Sequence, residues 1–299
     1  MEFHSVAQIL KATTHDIGGL TVNRLLPHMK KRMVGPFIFF DHMGPTHFPA
    51  GQGVEVQPHP HIGLSTLTYL FKGHILHRDS LGNKLEIAPG DVNWMTAGSG
   101  IVHSERETLE VRGEDHSING LQSWIALPEQ YSDIDPSFEH ISRHDLPQIT
   151  HNGIMTRVIA GEAYGLKSPI TTYSEMFYVD VIAPLQRIIE VPNPDQETAL
   201  YVIFGEVTIS GASYSPGQLV LLAKEETHIT TTRDTRLILL GGDKWENVPY
   251  IHWNFVSFSK ERIEQAKHDW REGNFPSIPD DDREYVPLPA GKPKAQPLR

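Results

Sequence analysis

Two pairs of potential metal ligands, His59 with His61 and His103 with Glu105, place the strongest restriction on how this chain can fold. One residue separates the members of each pair, and side chains two residues apart on a β-strand point to the same face. Brought together, two such strands would offer three imidazoles and one carboxylate. This donor set suits iron, nickel, copper or manganese, whereas calcium and magnesium prefer oxygen ligands alone.

The spacing between the two pairs decides whether they form a site. With seventeen histidines in 299 residues, a single His-x-His pair can arise by chance. Here Gly73 follows His61 by twelve residues, a Pro89-Gly90 turn comes next, and His103 follows Gly90 by thirteen. This order resembles the two-part signature of the cupin barrel, and it predicts a metal site.

Composition indicates an all-β protein without cysteine chemistry. The 24 glycines and 22 prolines, with short alternating runs of valine, isoleucine and threonine, are typical of many strands joined by turns. The absence of cysteine excludes disulfides, thiolate nucleophiles and zinc-finger sites. A net charge of −11 without a long basic block disfavours direct contact with nucleic acid.

The chain lacks sequence signals for a membrane. No apolar run approaches the ~20 residues that a membrane span requires, and the first residues lack the pattern of a signal peptide. We expect a soluble, cytoplasmic protein. The length favours two domains, and the polar, proline-punctuated stretch 129–150 predicts a boundary between domains 1–135 and 136–299.

The second half of the chain repeats part of the first. Residues 199–205 are similar to 67–73, and residues 214–222 are similar to 87–95, which indicates an internal duplication. In the repeat, Val191 and Asn193 stand where His59 and His61 stand, and His228 is followed by no carboxylate. We therefore predict that the second barrel holds no metal.

Three further expectations concern the rest of the chain. Ser259 can cap a helix that runs through Arg271. The proline-rich, charged tail 280–299 should lie extended over the surface or be partly disordered. Five residues are predicted near the mouth or wall of the first barrel as a candidate substrate pocket: Phe40, Asp41, His42, Trp94 and Met95.

Four segments together resemble the pirin family of bicupins: residues 58–61, residues 94–105, Gly120-Leu121-Gln122, and Asp269-Trp270-Arg271 with the later Ile278-Pro279. The resemblance implies two β-barrels of the double-stranded β-helix or jelly-roll type, with a short C-terminal helix. It implies Fe(II) in the N-terminal barrel, held by His59, His61, His103 and Glu105; Mn, Ni, Co, Cu or Zn could substitute. Many pirins have Arg-Gly-Phe-Glu after the second histidine, whereas this chain has Ile62-Gly63-Leu64-Ser65.

Two functions follow from the resemblance. The first is a quercetin 2,3-dioxygenase-like oxidoreductase that takes a small aromatic substrate, a flavonol, and O₂, with Glu105 both as ligand and as catalytic base. The second is a non-enzymatic, redox-responsive regulator that acts through protein partners, as is proposed for pirins that act as transcription cofactors. Because the chain lacks a basic patch, contact with DNA would run through such a partner.

Overall fold

A computed structural model describes residues 6–17, 19–223, 228–290 and 296–298 of the chain. Almost all regular structure is antiparallel β-sheet. The first strands are β1 (Val6–Lys11), β2 (Thr13–Ile17), β3 (Leu20–Leu26), β4 (Phe37–Phe48), β5 (Glu55–His61), β6 (Leu64–Lys72), β7 (Ile75–Asp79), β8 (Lys84–Ile87), β9 (Val92–Thr96) and β10 (Ile101–Arg106). A helical turn α1 (Leu109–Arg112), strand β11 (His116–Ala126), a 3₁₀ turn (Glu129–Tyr131) and strand β12 (Ser137–Ile141) follow.

The remaining strands are β13 (Gln148–His151), β14 (Ile154–Ala163), β15 (Leu166–Lys167), β16 (Met176–Ala183), β17 (Ile188–Glu190), β18 (Glu197–Phe204), β19 (Val207–Ile209), β20 (Ala212–Tyr214), β21 (Gln218–Leu222), β22 (His228–Thr231), β23 (Thr235–Gly242), β24 (Tyr250–His252), β25 (Phe255–Ser257) and β26 (Gln296–Pro297). Helix α2 (Lys260–Glu272) lies between β25 and β26. No helix in the described part of the chain is long and apolar enough to cross a membrane.

The chain forms two compact units that are not continuous in sequence. The first unit comprises the described residues of Thr14–Arg24, Ile38–Arg143 and Asn247–Arg299. The second comprises those of Met1–Thr13, Leu25–Phe37 and His144–Glu246. The predicted domains, 1–135 and 136–299, followed the order of the chain, and they assigned helix α2 and the tail to the second barrel. The structure instead groups both with the first, because α2 packs on β24 and β25 and β25 lies beside Ile62 at the end of β5.

The first unit contains the predicted ligand strands. Within the described residues, its large sheet has the order β12-β9-β6-β11-β4-β3-β2, and its small sheet has the order β5-β10-β7-β8. Alternate side chains from these strands form an apolar core. Its buried members are Leu20, Val22, Met43, Phe48, Val54, Leu70, Ile75, Ile87 and Ile118.

The second unit repeats this plan. Its large sheet contains the path β21-β18-β23-β16-β14, which corresponds to β9-β6-β11-β4-β3, and its small sheet, β17-β22-β19-β20, corresponds to β5-β10-β7-β8. Gly73 after β6 and Gly205 after β18 both have positive φ, +84° and +89°, which is the conformation that glycine tolerates best. The sequence repeat is therefore also a repeat of strand order.

Helix α2 agrees with the predicted helix within one residue at each end. The Ser259 hydroxyl accepts a hydrogen bond from the Arg262 amide at 3.2 Å, and Gly273 ends the helix with a left-handed φ of +72°. The helix buries Ile263 and Ala266, and these side chains pack with Ile62 and Phe255. Ile62, which stands where many pirins carry arginine, thus supports the helix.

Candidate metal centre

Strands β5 and β10 bring the three predicted histidine ligands together. The two strands pair antiparallel, with His59 opposite His103 and His61 opposite Ile101. Within the described residues, His59, His61 and His103 form a group whose potential ligand nitrogens all lie within 4.8 Å of one another. All three side chains are buried.

The nitrogen positions fit a metal ion. His61 Nε2 lies 3.1 Å from His103 Nε2. Two nitrogens bound at right angles to one ion, with bonds of about 2.1 Å, would lie about 3 Å apart. His59 Nδ1 donates a hydrogen bond to the Gln57 carbonyl at 2.9 Å, which leaves its Nε2 as the lone-pair donor. The donor set and its spacing are compatible with a transition-metal ion.

Burial prepares these imidazoles for coordination. Desolvation lowers the pKa of His59 to about 4, although its bond to Gln57 acts in the opposite direction. Burial also lowers the pKa of His61 and of His103 well below the ordinary value, and neighbouring histidines add to the effect. All three are therefore neutral at pH 7, the form that binds a metal.

Glu105 faces the same cavity but does not belong to the close histidine group. Its Oε1 accepts a long hydrogen bond of 3.5 Å from the Thr68 hydroxyl, which also lies 2.8 Å from Gln122 Oε1. Burial raises the pKa of the Glu105 carboxyl. The carboxylate thus lies at the wall of the cavity, beside the imidazoles.

The three imidazoles and Glu105 line a cavity of about 230 Å³ that lies wholly in the first unit. Its polar wall is Asp41, His59, His61, His103, Glu105, Gln122 and Asn254, and its apolar wall is Ile17, Leu20, Val22, Phe39, Met43, Val56, Trp124, Trp253 and Val286. No lysine or arginine is among these lining residues.

Two aromatic rings form a rigid part of the wall. Phe39 and Trp124 stack with centroids 4.1 Å apart and planes 12° from parallel, and Trp124 meets the His61 ring edge-on at 5.0 Å. Behind them, the Arg24 guanidinium lies 4.4 Å from the Phe39 centroid. Arg24 also holds both Asp41 oxygens, at 2.9 and 2.7 Å. Burial raises the pKa of Asp41, and this ion pair acts against the rise.

Of the five residues predicted for the substrate pocket, the cavity is lined by Asp41 alone. On β4 the odd-numbered side chains face the cavity, and the even-numbered Phe40 and His42 lie on the other face. There His42 Nε2 bonds Asn119 Oδ1 at 2.7 Å. Trp94 and Met95 are buried in the core, each about 1% exposed.

Phe39, Gln122 and Trp124 line the cavity but were not predicted from the sequence. A signal for the last two was present, because a glutamine and a tryptophan two residues apart on a core strand must share a face. Ser65, which also departs from the common pirin pattern, is fully buried with its hydroxyl 3.0 Å from that of Thr96. It does not line the cavity.

A second pair of polar side chains, His77 and Asp79, lies beside His103. His77 and Asp79 on β7 lie opposite Glu105 and His103 on β10. His77 Nε2 lies 2.9 Å from Asp79 Oδ2, and the His77 ring lies 5.5 Å from that of His103. Asp79 also accepts hydrogen bonds from the backbone of Leu81 and Asn83, which fixes the β7–β8 turn.

The counterpart of this site in the second unit differs. His228 lies on β22, the counterpart of β10, opposite Glu190 on β17. Its side chain is exposed. That the second barrel holds no metal stays a prediction.

Comparison with known proteins identifies the family of the chain. The family model described as Pirin matches residues 19–125, and the model described as the pirin C-terminal cupin domain matches residues 178–276. A pirin-like protein of Caulobacter vibrioides is 45% identical over 94% of this chain and 98% of its own length. A Pseudomonas aeruginosa protein provisionally named a quercetin 2,3-dioxygenase is 38% identical over 86% of this chain and 81% of its own.

The same relationship holds in three dimensions. The crystal structure of quercetin 2,3-dioxygenase from Acinetobacter baumannii matches with a TM-score of 0.90 and 34% identity, and the match covers 98% of each chain. The predicted all-β bicupin fold with a short C-terminal helix is confirmed by the strand order and by this match. The chain belongs to the pirin family.

Proposed function

We propose that this protein is an Fe(II)-dependent dioxygenase that acts on flavonols, with His59, His61, His103 and Glu105 as the metal ligands. The observation that carries the proposal is the convergence of three neutral, buried imidazoles on a cavity with aromatic walls. Two relatives named as quercetin 2,3-dioxygenases support the same reaction class. Mn, Ni, Co, Cu and Zn suit the same donors, and iron is our choice among them.

When bound, the metal would supply sites for O₂ and for a phenolic oxygen of the substrate, since four protein ligands leave two positions on a six-coordinate ion. Neighbouring residues fix the orientation of the histidine rings. His59 is held in one tautomer by Gln57, and the Trp124 edge restricts the His61 ring. Glu105 would complete the ligand set with a negative charge.

The cavity wall favours a flat, uncharged substrate. It offers apolar surface and the Phe39–Trp124 stack, and its lining residues include no cation that could bind a carboxylate or phosphate. Its volume of about 230 Å³ lies below the ~300–1,000 Å³ typical of sites for drug-sized ligands. We infer that the oxygen-bearing edge of a flavonol enters the cavity and that the remaining ring lies at its mouth.

Glu105 is also our candidate for the base that takes the proton of the flavonol 3-hydroxyl. Burial raises its pKa, and a carboxylate with a raised pKa accepts a proton more readily than a solvated one does. The Thr68 hydroxyl lies 3.5 Å from Glu105 Oε1 and can orient this oxygen, and the same hydroxyl contacts Gln122.

Oxygen consumption with quercetin tests the proposal. Glu105→Gln keeps an oxygen donor but loses the base and the charge, so metal-saturated turnover should fall by ~10²–10⁴-fold. Glu86→Gln, at an exposed position of β8, makes the same chemical change away from the cavity and should retain wild-type turnover. Equal turnover in wild type and Glu105→Gln would refute the role of the base. Negligible turnover in the iron-loaded wild type would reject the dioxygenase in favour of the regulator.

A further inference from the structure

A short segment near the C-terminus, residues 280–286, contacts both strands that carry the proposed ligands; we call it the C-terminal strap. The sequence predicted a tail that lies extended or partly disordered. In the structure, residues 281–290 contain no helix or strand, and specific hydrogen bonds anchor the segment: the Val286 amide donates to the Pro58 carbonyl at 2.9 Å, and Trp270 Nε1 donates to the Val286 carbonyl at 3.0 Å. Val286 also lines the cavity.

The strap lies against an irregularity between the ligand strands. His103 pairs with His59, but Glu105 pairs with Val56, so the two residues Gln57 and Pro58 oppose one residue of β10. Such a β-bulge changes the direction of the side chains on either side of it. Proline lacks an amide hydrogen and fits a bulge, where one ladder bond is missing. This bulge therefore determines the directions in which the side chains of His59, His103 and Glu105 point relative to one another.

The residue of β10 opposite the bulge is Ser104. Its side chain is fully buried, and its hydroxyl donates a hydrogen bond of 2.6 Å to Asp281 Oδ2. The same carboxylate receives Arg106 through Nε at 3.2 Å and Nη2 at 2.9 Å. Asp281 thus binds Ser104 and Arg106, the residues of β10 on either side of Glu105. These hydrogen bonds are charge-assisted, because they involve a carboxylate.

The other strand of the bulge is held by the same strap. Gln57 Nε2 donates to Glu284 Oε2 at 3.1 Å, and Glu284 also accepts from Arg106 at 2.8 Å. Together with the bond from Val286 to Pro58, these contacts fix both bulged residues of β5. Arg106 additionally pairs with Glu55 on β5. The bulge is therefore held from both strands by one segment that is distant in sequence.

We propose that Asp281 is a positioning residue of the metal centre. Through Ser104 and Arg106 it holds the bulge in the geometry that directs His59, His103 and Glu105 into one coordination sphere. It reaches no ligand itself and acts through the backbone that carries the ligands. This inference rests on the ligand set of the proposed function.

Binding of cobalt(II) to the metal-free protein tests the inference, because cobalt reports ligand geometry by its visible absorption. Asp281→Ala should weaken cobalt binding by about 10–100-fold, the usual effect of removing a group that orients a ligand, and should shift the absorption bands. Asp281→Asn retains an acceptor for Ser104 but loses the charge opposite Arg106, so its affinity should lie between those of wild type and Asp281→Ala. Ser104→Ala should shift the bands in the same direction.

The matched control is Asp282→Ala, which removes an exposed carboxylate one residue further along the strap. It should leave the affinity and spectrum at wild-type values. Thermal unfolding of each metal-free variant separates positioning from folding. An Asp281→Ala protein that unfolds earlier but keeps the wild-type spectrum and affinity would overturn the inference. A wild-type protein that binds no cobalt would remove the metal centre, and the inference with it, whereas normal cobalt binding without flavonol turnover would reject only the proposed reaction.

Discussion

At the scale of single residues, burial makes the three histidines suitable metal ligands. The same burial makes the free energy of unfolding depend on pH. Each is neutral in the folded protein because its pKa is lowered by desolvation. In the unfolded chain each would have an ordinary pKa near 6.5. Below pH 6.5 the unfolded state therefore binds more protons than the folded state does. As a result, the contribution of these residues to stability decreases as the pH is lowered.

The pH dependence of stability should show this for His59. In metal-free wild type, the contribution of this residue is fully present above pH 6.5. As the pH falls from 6.5 towards about 4, it is lost at up to about 1.4 kcal/mol per pH unit. Asp41 and Glu105, whose pKa values are raised, act in the opposite direction, so the comparison must isolate one residue.

Urea unfolding of wild type and His59→Gln between pH 4 and 7 makes that comparison. The free energy of unfolding of the variant should fall less steeply below pH 6.5, by up to about 1.4 kcal/mol per pH unit. Parallel pH profiles in the two metal-free proteins would mean that His59 is not held neutral by burial.

Sequence could identify the histidines but only one of the predicted pocket residues. His59, His61 and His103 followed from period-two spacing and the intervals between the pairs. Along β4 the same period of two separates the faces Phe39-Asp41 and Phe40-His42, but it does not say which face lines the cavity. That depends on how β4 lies in its sheet, which is set by pairing with distant strands.

At the scale of elements, the turn after β5, at Gly63, packs against strand β25. Helix α2 packs on the same strand. Gly63 has a φ of +70°, and its amide donates to the Gly98 carbonyl at 2.9 Å. A Cβ at this position would lie 2.0 Å from the Val256 carbonyl oxygen on β25. Only glycine fits here, because β25 packs directly against the backbone.

Gly63→Ala should destabilise the protein by about 2–5 kcal/mol, from roughly 1–2 kcal/mol of backbone strain and about 1–3 kcal/mol of overpacking. Gly82→Ala is the control: Gly82 has a φ of +88°, but its Cβ would have no atom within 4 Å. It should therefore cost only the backbone strain. The free energies of unfolding of the two variants measure the difference, and equal losses would show that β25 yields to the added methyl group.

The helix was easier to predict from sequence than its position. Ser259, Gly273 and the apolar face of Ile263 and Ala266 are local signals, and they predicted α2 closely. Local sequence does not show on which of the two units the segment that contains α2 packs. The helix was therefore assigned to the wrong barrel, since its partner Ile62 comes from a distant part of the chain.

At the scale of the whole molecule, two units share one strand order but not one set of side chains. Strands β5 and β10 present three buried imidazoles, whereas their counterparts β17 and β22 present an exposed His228. The repeat was visible in sequence because glycine turns and core strands recur. We therefore predict one metal ion for each chain, in the first unit.

Elemental analysis of the purified protein tests this most directly. Wild type and His228→Ala should each contain about one equivalent of transition metal per chain. His103→Ala should retain little, because it leaves two imidazoles where the geometry provides three. A His103→Ala protein with full metal content, or a His228→Ala protein without metal, would contradict the account.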